Sequence, residues 1–267
     1  MTTAPIGIFD SGVGGLSVWR EIVRQLPAED TLYFADQAHI PYGPRPLDEV
    51  RRLTENVTRF LLAEGAKLIV VACNTASGAA LHALRETFPD VPFVGMEPAV
   101  KPAVEHTRTG IVGVIATPAT FQGDLFAGLL HRFGNGFDIH TQACPGLVKA
   151  VEAGALNTPE TEALLRRYLT PLLDAGIDQL VLGCTHYPFL SPLIQRIVSP
   201  EVALIDPAPA VAQQVRRVLA RRNLLAPDGQ VGRHQFYTSG DPVQFAAMAR
   251  ALTGAEHHTL FWTNREI

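Results

Sequence analysis

The chain reads as an α/β protein: two similar domains of mainly parallel sheet flanked by helices, with the active site in the cleft between them. Three observations predict this. Short β-rich apolar runs alternate with amphipathic helical stretches, the pattern of parallel sheet covered on both faces. A cryptic internal repeat relates the two halves. Apolar residues make up 47% of the 267 residues and charged residues 18%, enough to fill such cores and too apolar for intrinsic disorder.

The elements follow in order. Residues 6–9 (IGIF), 31–35 (TLYFA), 67–72 (KLIVVA) and 92–96 (PFVGM) are buried-strand runs. Between them, 16–26, 47–64 and 77–88 carry the three-to-four apolar spacing of amphipathic helices. The second half repeats the alternation, with strands at 110–116, 137–141, 179–183 and 202–206 and helices at 121–133, 159–175 and 189–198. EGAKLIVVACNT (64–75) aligns without gaps on AGIDQLVLGCTH (175–186) at a constant offset of 111 residues, placing Gly65 on Gly176, Val70 on Val181 and Cys73 on Cys184. MEPAV (96–100) and IDPAPAV (205–211), and IFDS (8–11) and IATP (115–118), match more weakly in the same order. Pro98 and Pro102 interrupt any helix near 97–104, which sets the boundary there. A helix at 210–222, a strand at 234–239 and a final helix are expected to return to the first half. The expected domains are therefore 1–97 plus 208–267, and 98–207.

Composition excludes several function classes. A net charge of −4 and a pI of about 6.1 argue against nucleic acid or an anionic membrane as partner. Arg216, Arg217, Arg221 and Arg222 are read as a solvated helix face. No apolar run is long enough for a membrane span, and the opening MTTAPIGIFD has no basic n-region of a signal peptide. Three cysteines, an odd number, fit a reducing cytoplasm and not a disulfide framework.

The strongest chemical signal is the pair Cys73-Asn74-Thr75 and Cys184-Thr185-His186. Each cysteine ends a strand and precedes a helical pattern, at the carboxyl edge where open parallel sheets bind ligands. The positive end of a helix there lowers a thiol's pKa. Small polar residues with free N–H groups make a ready carboxylate site. Either cysteine alone is unremarkable, since free Cys is often buried; the equivalence of the two is what counts. Cys144 has no such sequel and is read as a packed thiol.

Asp10-Ser11-Gly12-Val13-Gly14-Gly15 follows the first strand. It fails as a dinucleotide fingerprint, because Ser17 holds the third glycine position, and no GK[ST] follows. Asp10 is read as an ionisable or amine-binding carboxylate in the cleft. Tyr42 and Gly43, bracketed by Pro41 and Pro44, form a rigid loop that offers N–H and a phenol to an anion. The histidines make no zinc tetrad, and His257 and His258 lie near the C-terminus. His186 stands out because it neighbours a candidate thiolate. Two thiols facing one carbon suit removal of an α-proton from one side and its return on the other. Pyridoxal chemistry needs a Schiff-base lysine, and neither Lys67, Lys101 nor Lys149 is a persuasive anchor, so no cofactor and no metal is expected.

GIFDSGVGGLSV, YFAD…IPYG, VVACNTAS, GMEPA and LVLGCTHYP, in that order, resemble the cofactor-independent Asp/Glu racemase family, its glutamate racemases in particular, over residues 7 to about 212. The resemblance implies two α/β domains around a cleft, and interconversion of L- and D-glutamate for peptidoglycan synthesis. It implies Cys73 and Cys184 as the two proton donor/acceptors, with Asp10 and His186 assisting them. Asp10, Ser11, Tyr42, Gly43, Asn74, Thr75, Thr185 and His186 would hold substrate, with Thr117 and Thr120 as further lining residues and Glu152 supporting His186. Gly78 and Phe189 depart from the family pattern beside the cysteine motifs. A homodimer is expected. Two alternatives stay open: a racemase for aspartate or another carboxylated substrate, and a catalytically silent amino-acid-binding protein.

Overall fold

A computed structural model describes residues 2–227, 229–254 and 259–261; the His257–His258 pair lies outside them. Among the described residues, ten strands form two sheets, every pairing parallel. The strands are β1 (Ile6–Asp10), β2 (Thr31–Ala35), β3 (Leu68–Val71), β4 (Phe93–Gly95), β5 (Ile111–Ala116), β6 (Asp138–Ala143), β7 (Gln179–Gly183), β8 (Ala203–Ile205), β9 (His234–Thr238) and β10 (Thr259–Phe261). One sheet has the order β10-β9-β2-β1-β3-β4 and the other β6-β5-β7-β8. The predicted α/β class with parallel sheets holds.

The two orders explain the repeat. Within the larger sheet, β2-β1-β3-β4 has the same sequence of connections as β6-β5-β7-β8. β3 and β7 are therefore equivalent strands, and each is followed two residues or one residue later by a cysteine of the aligned motif. Register then fixes what meets at the carboxyl edge. Phe9 pairs with Val71, so Ser11 comes level with Cys73; Ala116 pairs with Gly183, so Thr117 comes level with Cys184.

Apolar spacing makes the helices. In Leu47–Ala63, Val50, Leu53, Thr54, Val57, Thr58 and Leu61 face inward, Asp48 and Glu49 sit at the positive N-terminus, and Gly65 at φ +84° turns the chain out. One apolar cluster runs from Ile6 and Ile8 through Ile115, Leu182 and Val215 to Phe245, joining both sheets; separate clusters cover the other face of each sheet. Helix Ala208–Arg221 packs on helix Leu16–Gln25.

Several expectations need correction. Pro102 does not forbid a helix: Val100–His106 is helical, with Pro102 in the first turn, where its missing N–H has no intrahelical partner to lose. The stretch 121–133 is two helices, Pro118–Gln122 and Asp124–Phe133, broken where Gly123 is extended. Residues 189–198 hold the end of a 3-10 turn (Tyr187–Leu190) and a shorter helix, Ser191–Ile197. The third helix begins earlier than predicted, at Asn74. Helix Leu147–Glu152 and strand β10 had no prediction. Among the described residues, no helix is long and apolar enough to cross a membrane.

Candidate active site

The carboxyl edges of the two sheets face one cavity of about 290 Å³. Cys73, Asn74, Thr75, Ser11, Tyr42 and Gly43 line it from the larger sheet, and Cys184, Thr185, His186, Thr117 and Thr120 from the smaller one. Eleven of the twelve residues expected to be catalytic or to hold substrate thus line one cavity. The twelfth, Asp10, is fully buried behind it: Oδ2 accepts the Gly12 N–H at 2.9 Å and Oδ1 accepts the Thr185 hydroxyl at 3.1 Å. Pro41 and Val148 also line the cavity and were missed. Val148 rides on the unpredicted helix Leu147–Glu152, whose six residues are too few to give a periodic signal.

Cys73 is the N-cap of helix Asn74–Thr87; its Sγ accepts the Ala76 N–H at 3.4 Å and contacts Ser11 Oγ at 3.9 Å. The helix terminus is there, yet it does not win. Burial pushes the Cys73 thiol well above its ordinary range, Asp10 and Cys184 add to this, and the Ala76 N–H only partly offsets it. The expected lowering is therefore reversed.

At Cys184 the expected α-helix is absent: a turn leads into a 3-10 helix four residues long. His186 stands there instead, Nδ1 3.7 Å from Cys184 Sγ and Nε2 2.7 Å from Glu152 Oε1. Burial disfavours the imidazolium, but the Cys184 sulfur and the Glu152 carboxylate outweigh it and hold the His186 pKa well above ordinary. Burial likewise opposes the Glu152 carboxylate, and donors from His186, Val13 N–H and Gln37 pull its pKa below ordinary. Asp10 goes the other way. Burial lifts it to about 6, against the pull of His186 and the Gly12 N–H.

Two glycines make this packing possible. A Cβ at Gly12 would overlap the Glu152 carboxylate, and one at Gly14 would overlap the His186 imidazole. Glu152, on the smaller-sheet side, reaches across to the Val13 N–H at 2.7 Å.

The remaining polar wall is neutral. Thr75, Thr117 and Thr120 form a hydroxyl cluster at 2.9–3.4 Å, and both amide atoms of Asn74 are buried without a hydrogen-bond partner. The Tyr42 hydroxyl donates to Asp36 at 2.6 Å, so the phenol expected to meet an anion is committed elsewhere. Among the described residues, no lysine or arginine lines the cavity. Lys67 is buried against Glu29 at 2.6 Å. Among the described residues, no three His, Cys, Asp or Glu are placed to share a metal ion. Cys144 is buried, its Sγ donating to Gln142 O at 3.4 Å.

With this geometry in place, the sequence profile of Asp/Glu/Hydantoin racemase matches residues 6–215. The chain belongs to that family. A glutamate racemase of Roseiflexus sp. (strain RS-1) is 53% identical over 249 residues, covering 93% of this chain and 92% of the relative. A glutamate racemase structure from Bacillus anthracis superimposes with a TM-score of 0.91 at 35% identity, covering 99% of each chain. The Escherichia coli enzyme, solved with L-glutamate and the activator UDP-MurNAc-Ala, gives 0.83 at 33% identity over 97% of each chain. This family member is an isomerase of the racemase class, as its motifs implied.

Proposed function

We propose that the chain is a glutamate racemase that works by two-cysteine, cofactor-independent 1,1-proton transfer and supplies D-glutamate for peptidoglycan synthesis. The observation that carries this is the meeting of Cys73 and Cys184, from equivalent strand ends, in one small cavity walled by neutral donors. The relatives named glutamate racemase and the L-glutamate bound to the E. coli enzyme support the choice of substrate.

In the proposed reaction one cysteine thiolate takes the α-proton of the bound amino acid, leaving a carbanion at Cα. The opposite thiol delivers its proton to the other face. One C–H bond breaks, one forms, and the thiol and thiolate exchange places. A thiolate formed against burial at Cys73 is a stronger base than a solvated one, which suits a weakly acidic carbon. At Cys184 the raised imidazole of His186, backed by Glu152, steadies the thiolate. Asn74, Thr75, Thr117, Thr120, Ser11, Gly43 and Thr185 hold the carboxylates, Asn74 with an amide that has no partner among the described residues. Asp10 acts from behind the wall, through Thr185 and on the Cys73 thiol. No lysine on the wall can anchor a Schiff base, which favours the cofactor-free route.

The same reading takes 1–97 plus 208–267 and 98–207 as the two domains, supported by the strand membership of the two sheets. It takes the protein as a cytoplasmic homodimer. The test is pyridoxal-free protein with L-glutamate in D₂O under reducing conditions, following optical rotation and the α-proton NMR signal together. Loss of both signals is expected. Racemisation of L-aspartate with L-glutamate untouched overturns the substrate, and no α-proton exchange in any amino acid overturns the enzyme.

A further inference from the structure

Glu152 meets the site through the His186 imidazole, and its own position is set by donors from the other half of the molecule. Oε1 takes the Val13 N–H and faces His186 Nε2, both at 2.7 Å. Oε2 takes one bond, from Gln37 Nε2 at 3.0 Å. Gln37 opens the 3-10 turn Gln37–His39 after β2 and falls outside every motif read from the sequence.

The amide has only one workable orientation. Thr238, fully buried at the end of β9, accepts the Gly240 N–H at 3.0 Å, so its hydroxyl proton is free to go to Gln37 Oε1, also at 3.0 Å. With Oε1 held, the amide nitrogen must face the carboxylate, which as an acceptor needs a donor there. Gly240 closes on the same side chain: a Cβ added to it would stand 2.8 Å from Gln37 Cβ. Gln37 and Glu152 also share the wall of another cavity of about 690 Å³ with Gln244 and Met248, and neither thiol lines it. Gln37 thus stands beside Glu152 Oε2 on the wall of that cavity.

The geometry points to Gln37 as a positioning residue for the Cys184 half of the reaction: clamped by Thr238, its amide holds the Glu152 carboxylate in line with His186. This rests on the two-thiol reading above. The titratable groups facing Glu152 are His186 from the smaller-sheet half, and Asp10 and Tyr33 from β1 and β2. Losing the Gln37 N–H removes a bond to the charged form of Glu152, so its carboxyl protonates at higher pH and His186 loses its partner there.

The test compares Gln37→Met, Gln37→Glu, Thr238→Val and Thr238→Ser by kcat, KM and the pH profile of kcat/KM in both directions, with thermal melts. Gln37→Met is expected to lower kcat on the order of tenfold, the scale of losing the partner that orients a working histidine, with little change in KM. The acid limb of kcat/KM should move to higher pH, further for Gln37→Glu, where two carboxyls face each other. Thr238→Val should move the limb the same way and Thr238→Ser should restore it. Both directions must shift together, because the equilibrium constant of a racemisation is one. An acid limb that stays in place in Gln37→Met overturns the inference. If that variant fails to fold, a limb unmoved in Thr238→Val, or moved equally in Thr238→Ser, overturns it instead. Cys184→Ala keeps the two levels apart: racemisation surviving in it sinks the two-thiol reading, whereas a dead Cys184→Ala beside an unmoved limb sinks only the role of Gln37.

Discussion

Cys73 and Cys184 end equivalent strands of two identically ordered four-strand sets, yet their surroundings differ in kind. Cys73 caps a 14-residue α-helix and has a backbone N–H, a serine hydroxyl and a nearby buried aspartate. Cys184 has a short 3-10 turn after it and a histidine–glutamate pair beside it. The first thiol has a backbone N–H and a hydroxyl to steady it, the second an imidazole backed by a carboxylate. A repeated fold fixes where a group stands; it does not fix how its charge is borne. A proton relay that must run in both directions needs two sites matched in strength, not in chemistry.

The most drastic way to break the comparison is to delete either thiol. Cys73→Ala and Cys184→Ala are each expected to cost at least the roughly 10²–10⁴-fold of one acid/base group, with melting temperatures close to wild type. Polarimetry and circular dichroism would check both. Full activity in either variant would refute the paired mechanism.

A finer test removes the feature that only one side has. His186→Asn should lower kcat by roughly 10–100-fold, and Glu152→Gln should do the same, with the double variant no worse than the worse single one. Their effects are expected to overlap because they act as one unit. Additive losses measured in the double variant would show that the pair is not coupled.

The Cys73 side has its own signature in Asp10. Its folded pKa of about 6 lies above the ordinary aspartate value, so the folded state favours the protonated form, and that advantage disappears as pH rises through about 6. The stability of Asp10→Asn relative to wild type should therefore improve by on the order of 2–3 kcal/mol between pH 4 and pH 7. Urea melts at the two pH values measure this. A constant difference would mean that the carboxyl is not held protonated.

Smaller effects sharpen the picture. Thr117→Val removes one member of the hydroxyl cluster and should raise KM about fivefold, the worth of about 1 kcal/mol of hydrogen bonding. Cys144→Ala is the control thiol, buried but off the cavity wall, and should change kcat less than about twofold while costing on the order of 1 kcal/mol of stability. A large kinetic loss at Cys144 would mean that the cavity wall is wrongly drawn.

Much of this was legible in the sequence where pattern is periodic or paired. Strands β1, β2, β3 and β7 are unbroken apolar runs, and the Cys73/Cys184 alignment located both ends of the site. What failed was set by single residues acting locally. Pro102 reads as a helix breaker until its place in a first turn is known, and Gly123 splits a run whose apolar spacing looks continuous. The dipole argument failed at Cys73 because burial, which a sequence does not display, outweighs one N–H. Gln37 carries no signal of its own: its role comes from β9 lying beside β2, a contact that joins residues about 200 positions apart.

That last pairing also bears on how the chain is made. β9 covers the outer edge of β2, and it leaves the ribosome about 200 residues later, a lag of roughly 10–40 s at ~5–20 residues per second. Until then a row of unpaired N–H and C=O groups on β2 lies open to any passing strand, and Gln37 has no Thr238 to settle against. The nascent chain can assemble β1, β2, β3 and β4 of the larger sheet early, but the partner that orders the Cys184 side arrives about 200 residues after β2. For this protein, synthesis is a period when the β2 edge is open to mispairing.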